Sequence, residues 1–479
     1  MALNLQGGKF LKASLLVLLV CFSSLAVASP TAYLPIGIDS HLQLQIHRLF
    51  ALTSGNPMRL PYAIKDIEQA LSKIKQRQPA LYQSINSQLN RYRGHKKLSR
   101  TGITTRLSAK EDQLIGNQRG LSSDQYLQVE LEAIWRPRTN ILVQAGMEYR
   151  EDSAHLVPFN SFIATISGNF QLDVGYRERW YSPFKFSSQL ISSNVKLNPS
   201  LSLSAIKPIK KWWHLNFDLF YTRLDRVNKG ISYLGEWHDG KPHLLGTHVS
   251  IEPINGWKLG FNSMLQFGGG PRKVSFGDIL TAFIDPATKD NSYTQDQRKT
   301  EFGDQIASVT SSYRFTTGVP MEVYAELAGE DTQGGSNYSL GNQATSFGVY
   351  WPKFNQNIDL RYEYNRFKTA WYTNHMFAYG NTNNGRVIGH YAGDQRKFGH
   401  GVPTEIHKVS IDLFTTIATS WGLSAASINN KDKILYRKGK ELELIERHYW
   451  RKKRIESKLT YGSSVFSKDY WHFSTVLFW

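Results

Sequence analysis

Two hydrophobic periods divide the chain. From Asp39 to Tyr92 the apolar residues recur at helical spacing: Leu42, Ile46 and Leu49, then Ile64, Ile67, Leu71 and Ile74, then Leu81, Ile85, Leu89 and Tyr92. A stripe that returns every three or four residues predicts three short amphipathic helices. Asp39 or Ser40 is placed to cap the first, and Pro61 and Pro79 fall where a first-turn proline is tolerated. Sharing their apolar faces, the helices predict a small module over residues 29–96.

From residue 97 to 479 the period is two. Leu127, Val129, Leu131, Ala133 and Trp135 alternate with Gln128, Glu130 and Glu132; Trp213, Leu215, Phe217, Leu219 and Tyr221 alternate with His214, Asn216 and Asp218. The same dyad sets Met321, Val323, Ala325 and Leu327 against Glu322, Tyr324 and Glu326, and Ile358, Leu360, Tyr362 and Tyr364 against Asp359, Arg361 and Glu363. Each such segment is a strand with one apolar and one charged face.

A soluble sandwich alternates too, so the ends of the segments carry the distinction. Many finish in an aromatic, among them Trp135, Tyr149, Tyr221, Trp351 and Tyr461, as a girdle at a bilayer interface requires. About 18 such segments run from Leu98 to Trp479, those near 98–108, 184–207 and 433–450 being the least regular; their lengths match a tilted spanning strand. The last places Trp471, Phe473, Leu477 and Trp479 on one face and ends on an aromatic. That ending resembles the signal outer-membrane barrels present to their assembly machinery, although an ordinary buried final strand would also read this way. The expected fold is an all-β membrane protein, a closed antiparallel transmembrane β-barrel, with the helical module in the periplasm beside the first strand.

Targeting agrees. Lys9 and Lys12 precede an apolar run from Ala13 to Ala28 that ends Ala26-Val27-Ala28, the pattern of a secretory signal peptide over residues 1–28. Its loss takes the formal charge from +18 to +16 and removes Cys21, the one cysteine. A lipoprotein cleavage before Cys21 is the alternative, disfavoured by the bulk of Val20. The mature chain then has no thiol, which excludes disulfides and cysteine-held metals. With 12 Trp, 24 Tyr and 25 Phe, and no later apolar stretch long enough for a membrane helix, strands are what would span.

Three connections are too long for turns: Gly268 to Asp304, Gly329 to Asn342 and Phe367 to Pro403. Barrels place long loops outside and short turns in the periplasm. The residues of these loops resemble a family. GGGPRKVSFGDILTAFIDPATKDNSY (268–293) and AELAGEDTQGG (325–335) are similar to the Wzi family of capsule-assembly outer-membrane proteins. Gly268, Gly269, Arg272, Phe276, Asp278, Lys289, Asp290 and Asn291 fall on recurrent family positions, as do Gly329, Glu330 and Asp331. Asn374, His375 and Tyr379 continue the similarity, as does the segment 175–193. Around Arg179-Trp180-Tyr181-Ser182-Pro183 the chain departs from it, lacking a second Trp and a Gly before the Pro. The resemblance implies an 18-stranded barrel with a periplasmic helical bundle that acts as a surface lectin, retaining capsular polysaccharide.

Chemistry is read against that frame. Arg272, Lys273, Arg386, Arg396 and Lys397 lie in the long loops and suit the carboxylates or phosphates of an acidic polysaccharide. They suit lipopolysaccharide phosphates at an outer rim equally. WYTNHMFAYGNTNNGRVIGHYAGD (371–394) offers Trp371, Tyr372, Tyr379 and Tyr391 as faces for sugar rings, with Asn374, Asn383 and Asn384 for hydrogen bonds and His375 a further candidate contact. The alternative is that the loop folds into the lumen and its aromatics pack there. A metal on His375, His390, His400 and Asp394 matches no short ligand spacing, so no metal or cofactor is expected. Enzyme motifs are missing: there is no Gly-x-Ser-x-Gly or His-Glu-x-x-His, and Ser72-x-x-Lys75 sits on a polar helix surface. The basic balance carries no nucleic-acid reading once the chain is exported. Two functions remain, a polysaccharide-anchoring lectin and, second, a porin or solute channel. Expected partners are a capsular or other acidic extracellular polysaccharide, outer-membrane lipid and lipopolysaccharide, and the barrel-assembly machinery during biogenesis.

Overall fold

The computed structural model describes residues 29–479 except 38, 54–56, 109–118, 121–125, 152–154, 285–302, 316–317, 331, 334–335, 398 and 451–452. The expected signal peptide lies outside the described residues, as do Lys289, Asp290, Asn291 and Asp331.

Eighteen strands form a closed barrel. They are β1 Lys96–Ser108, β2 Tyr126–Arg138, β3 Ile141–Arg150, β4 His155–Ser167, β5 Phe170–Tyr176 and β6 Ser200–Ala205. Then come β7 Asn216–Arg223, β8 His243–Ile254, β9 Trp257–Phe267, β10 Gly303–Phe315, β11 Met321–Glu330 and β12 Ala344–Asn355. The last six are β13 Ile358–Phe367, β14 Thr404–Phe414, β15 Thr419–Asn430, β16 Gly439–Trp450, β17 Lys453–Ser463 and β18 Asp469–Phe478. Each pairs antiparallel with the next, and β18 returns to β1 with Gly102 opposite Phe478. Trp479 completes the seam, its backbone exchanging two hydrogen bonds with Thr101.

The dyads face as the sequence reading has them. Leu127, Leu131 and Trp135 are exposed on the outer wall while Gln128, Glu130 and Glu132 are buried inside. Closure leaves no strand edge unpaired, which a lipid surround demands. Trp135, Trp421, Trp450 and Trp479 are exposed at the end near the helices, and Tyr149, Tyr221, Tyr461 and Trp471 at the opposite, loop end. Two segments differ from expectation. Trp213 and His214 occupy a left-handed turn, at φ 49° and 56°, so β7 begins only at Asn216. Residues 184–199 form no strand; most of those from 184 to 195 are buried inside the barrel.

An 18-stranded wall encloses a lumen too wide for its own side chains to fill. Here other segments fill it in tiers. The first contains α1 Ser40–Leu52, α2 Ile64–Ser72 and α3 Pro79–Leu89, which share a core built on Ile46, Leu49, Ile67, Leu71, Ile85 and Leu89. The Asp39 carboxylate caps α1, accepting from Leu42 N at 2.7 Å, and Pro79 opens α3. Pro61, by contrast, lies before α2 rather than in its first turn. The polar face of α1 meets the lumen wall, while α3 keeps exposed positions at Gln83 and Ser87. Arg48 Nε donates to both Asp359 carboxylate oxygens, at 2.8 and 2.9 Å. His41 Nδ1 lies 2.8 Å from Ser420 Oγ, and Asp39 pairs with Arg454. The extended residues before α1 also hold the wall, Tyr33 N donating to Gln144 Oε1 at 3.0 Å.

The second tier is the segment 177–199. Arg177 pairs with Asp173 at 3.3 Å and with Asp218. Arg119, from the β1–β2 connection, bridges Glu148 at 2.7 Å and Glu178 at 3.0 Å. Glu363 accepts from the backbone of Lys185 and Phe186. Trp180 and Tyr181 pair in strand register with Leu60 and Arg59, tying this tier to the helices. The carboxylates that alternate along the strands therefore anchor the inner segments, some by ion pairs and others, such as Glu363, by hydrogen bonds.

Asp359 also accepts from Tyr350 Oη and Lys353 N, each at 2.8 Å, so removing its guanidinium partner leaves a buried charge with neutral donors only. Arg48→Ala should lower unfolding free energy by about 3–5 kcal/mol, read from urea titration of the refolded barrel in micelles. Adding Asp359→Asn should return part of that loss; equal losses in single and double variants would contradict the pairing.

Candidate functional site

The third tier is the β13–β14 connection, residues 368–403, and it contains most of the aromatic and amide residues singled out above. Its chain path is set by glycines around one ring. Gly380 has φ +58° and a Cβ there would sit 2.0 Å from the Tyr372 carbonyl oxygen; at Gly389 a Cβ would meet the Gln189 carbonyl oxygen at 2.1 Å. Only glycine lets the backbone approach so closely. Between them Thr382–Asn383 pairs with Arg386–Val387 across an Asn384-Gly385 turn, both turn residues at positive φ, the favoured two-residue hairpin.

The loop rests on the second tier. Tyr372 Oη donates to Gln189 O at 2.5 Å and accepts from His390 N at 2.7 Å. Asn194 Nδ2 donates to Val387 O at 2.9 Å and to Asp394 at 2.7 Å. At its flank, residues 376–378 join a hairpin formed by 227–233 and 236–240, Ser232 N donating to Met376 O at 2.8 Å and Ala378 N to Gly230 O at 2.9 Å.

Folding in this way divides the sequence-derived residues. Trp371, fully buried, sits with Tyr372 and Tyr391 in a core against Phe367. Arg396 is a brace, donating to Trp371 O at 2.8 Å and Val402 O at 3.1 Å. Asn374 closes a local turn by accepting from Met376 N at 2.7 Å. His375 is exposed, away from the cleft described next. On the neighbouring β9–β10 connection Lys273 is exposed, while Arg272 lies 3.8 Å from Met376 Sδ and over the Tyr233 ring. The metal reading finds no geometry. His390 accepts from Ala392 N through Nδ1, and His400 Nδ1 lies 2.9 Å from Tyr436 Oη. Among the described residues no three potential ligands gather.

What remains open is a cleft of about 250 Å³ in the loop itself. Tyr379, Arg386, Lys397 and His400 form its more exposed lining, with Asn374, Asp394 and parts of Tyr372 and Arg396 behind them. Thr373 and Thr382 add hydroxyls that the sequence reading did not single out, and Tyr436 supports the wall from the β15–β16 connection by accepting from Lys397 N at 2.9 Å. Nothing in sequence spacing joins Tyr436 to the site. Burial raises the Asp394 carboxyl above its ordinary range, against the pull of its Asn194 and Val387 donors. The cleft thus combines one aromatic face, amides, hydroxyls and an excess of cationic groups, which suits polyhydroxylated and acidic rings.

A closed barrel with an apolar exterior and aromatic girdles, its lumen occupied by segments of its own chain, is an outer-membrane barrel. The sequence matches the family described as capsule assembly protein Wzi over residues 92–402, and the chain belongs to that family. In structure it is similar to an Escherichia coli protein described as Wzi, an outer membrane protein involved in group 1 capsule assembly and a carbohydrate-binding β-barrel. The two share 13% identity with a TM-score of 0.71, covering 94% of this chain and 99% of that one. Pseudomonas aeruginosa OccK5 (OpdH) is more distant, at 9% identity and TM-score 0.47, covering 79% and 96% of the two chains. OccK3 (OpdO) of the same organism gives 11% and 0.47, covering 80% and 94%. No curated protein matches the chain by sequence.

Burial holds the His390 imidazole neutral, pushing its pKa down to about 3. Unfolded, it protonates near 6.5, so its contribution to stability is whole above that pH and drains away as pH falls toward about 3. Amide exchange over residues 386–396 should therefore quicken between pH 7 and pH 4. His390→Asn, which keeps an acceptor but does not titrate, should flatten that dependence; an unchanged profile would contradict the assignment.

Proposed function

We propose that this barrel holds an exported, acidic capsular polysaccharide at the cell surface, binding it as a non-catalytic lectin through the cleft in the 368–403 loop. The observation that supports this most is the cleft's composition at the open end of a filled barrel, taken with membership of a capsule-assembly family. The helix end then faces the periplasm and the long loops face outward, the usual disposition of such barrels. Tyr379 offers the stacking face, and Arg386 and Lys397 pair with uronate or phosphate groups. Trp371, Tyr372, Tyr391 and Arg396 serve by holding the loop in shape. Glu148, Asp218 and Asp412 are engaged by arginines, which supports a structural use of these strand carboxylates.

Tyr379→Ala and Arg386→Ala should each release polysaccharide from the cell surface into the medium while the barrel still shows heat-modifiable migration in detergent gels. Trp371→Ala should lose retention together with loop order, seen as new protease cleavage within 371–396. Retention equal to the parent in both surface variants would sink the proposal. The channel reading is separated by planar-bilayer recording, where the filled lumen should give no stable conductance steps.

A further inference from the structure

The segment 268–284 lies within the family match, yet the cleft does not use it. It contains α4, Phe276–Ile284. The sequence Ser275-Phe-Gly-Asp278 starts this helix as a capping box: Ser275 Oγ accepts from Asp278 N at 3.1 Å, and Asp278 Oδ2 accepts from Ser275 N at 2.9 Å. Thr281 Oγ1 donates back to Gly277 O at 2.9 Å.

The placement of α4 is unusual. Phe261, Leu265 and Phe267 share the outward face of β9, where Phe261 is exposed to lipid, but Leu265 and Phe267 are only 2% and 6% accessible. They are covered because Ile279 and Ala282 of α4, with Val274 before it, pack on them and on Leu245 of β8. The helix therefore lies on the outside of the wall, at the level where Tyr221, His243 and Phe267 stack as part of the loop-end girdle. Phe276 and Leu280, one helical turn apart, remain 75% and 45% accessible. Gly277, Asp278 and Thr281 occupy the remaining side.

We propose that α4 is an interfacial membrane anchor, with Phe276 and Leu280 inserted among the outer-leaflet lipids beside the barrel. The exposed apolar pair lies on a helix packed against the lipid-facing wall beside the aromatic girdle, the level at which an amphipathic helix buries one face among headgroups and upper acyl chains. Arg272 and Lys273, just ahead of the helix, are placed to meet lipid phosphates. Arg272 also reaches Met376 Sδ, so the anchor is tied through one side chain to the loop that forms the cleft. Anchored in this way, residues 268–284 are held at the membrane.

The test is depth quenching. In a Cys21→Ser background, Phe276→Cys, Leu280→Cys and Gly277→Cys are labelled with an environment-sensitive fluorophore. They are then reconstituted in vesicles of phosphatidylethanolamine and phosphatidylglycerol. Positions 276 and 280 should emit to the blue and be quenched by spin-labelled acyl chains, whereas position 277 should be quenched by aqueous iodide. Iodide quenching alike at all three would overturn the proposal. Protection of 276 and 280 from both quenchers would place that face against protein and overturn it equally. Heat-modifiable migration confirms that each labelled variant is folded.

Discussion

The guanidinium of Arg48 on the Asp359 carboxylate is one of a set of buried ion pairs on which the molecule depends. Arg119 with Glu148 and Glu178, Arg177 with Asp173 and Asp218, and Arg454 with Asp39 belong to the same set. Each joins a wall strand, or the seam it belongs to, to a segment inside. A buried pair adds little net stability over a well-packed apolar pair, but a broken one is severe, so such pairs fix position more than they add energy. They hold the helices and the 177–199 segment at set heights within the wall, and the third tier rests on the second by hydrogen bonds. A loop laid across an empty lumen would have no floor; this one has Gln189, Ser192 and Asn194 beneath it.

That floor explains the division of labour in the 371–394 segment. Its large aromatics are consumed in packing: Trp371 against Phe367 and Tyr372, and Tyr391 against His390. Burying them gives the loop one conformation, and a preorganised loop binds without first being ordered. Recognition then falls to what the packing leaves outside, a tyrosine face with arginine, lysine and histidine around it. The outer wall shows the same economy at α4, whose inner face covers two strand residues while its outer face leaves Phe276 and Leu280 exposed.

The barrel was legible in the sequence because its cause is local. A strand between lipid and a polar interior must alternate, and Leu127 to Trp135 does so without error. The helices were legible for the same reason, and so was the Asn384-Gly385 turn in retrospect, as a short-range hairpin signal. The seating of the helical module was not. Asp39 reads only as a cap, and nothing in the periodicity singles out Arg48 or His41, because the partners of all three lie hundreds of residues away, at Arg454, Asp359 and Ser420. The site was half legible for a related reason. Composition identified the right loop, but it could not tell Trp371, turned inward, from Tyr379, turned outward, since both are aromatic residues among glycines and asparagines. Gly380 and Gly389, which decide that orientation by letting the backbone close on Tyr372, carry no such meaning until the fold is known.

The central claim is that the surface of the third tier is where polysaccharide binds. Hydrogen–deuterium exchange of the reconstituted barrel, with and without acidic polysaccharide fragments from the producing cell, tests it most directly. The account predicts added protection over residues 372–400 and at Tyr436, with the wall strands and the helical tier unchanged. Protection in the lumen wall, or none in that loop at saturating fragment, would contradict it.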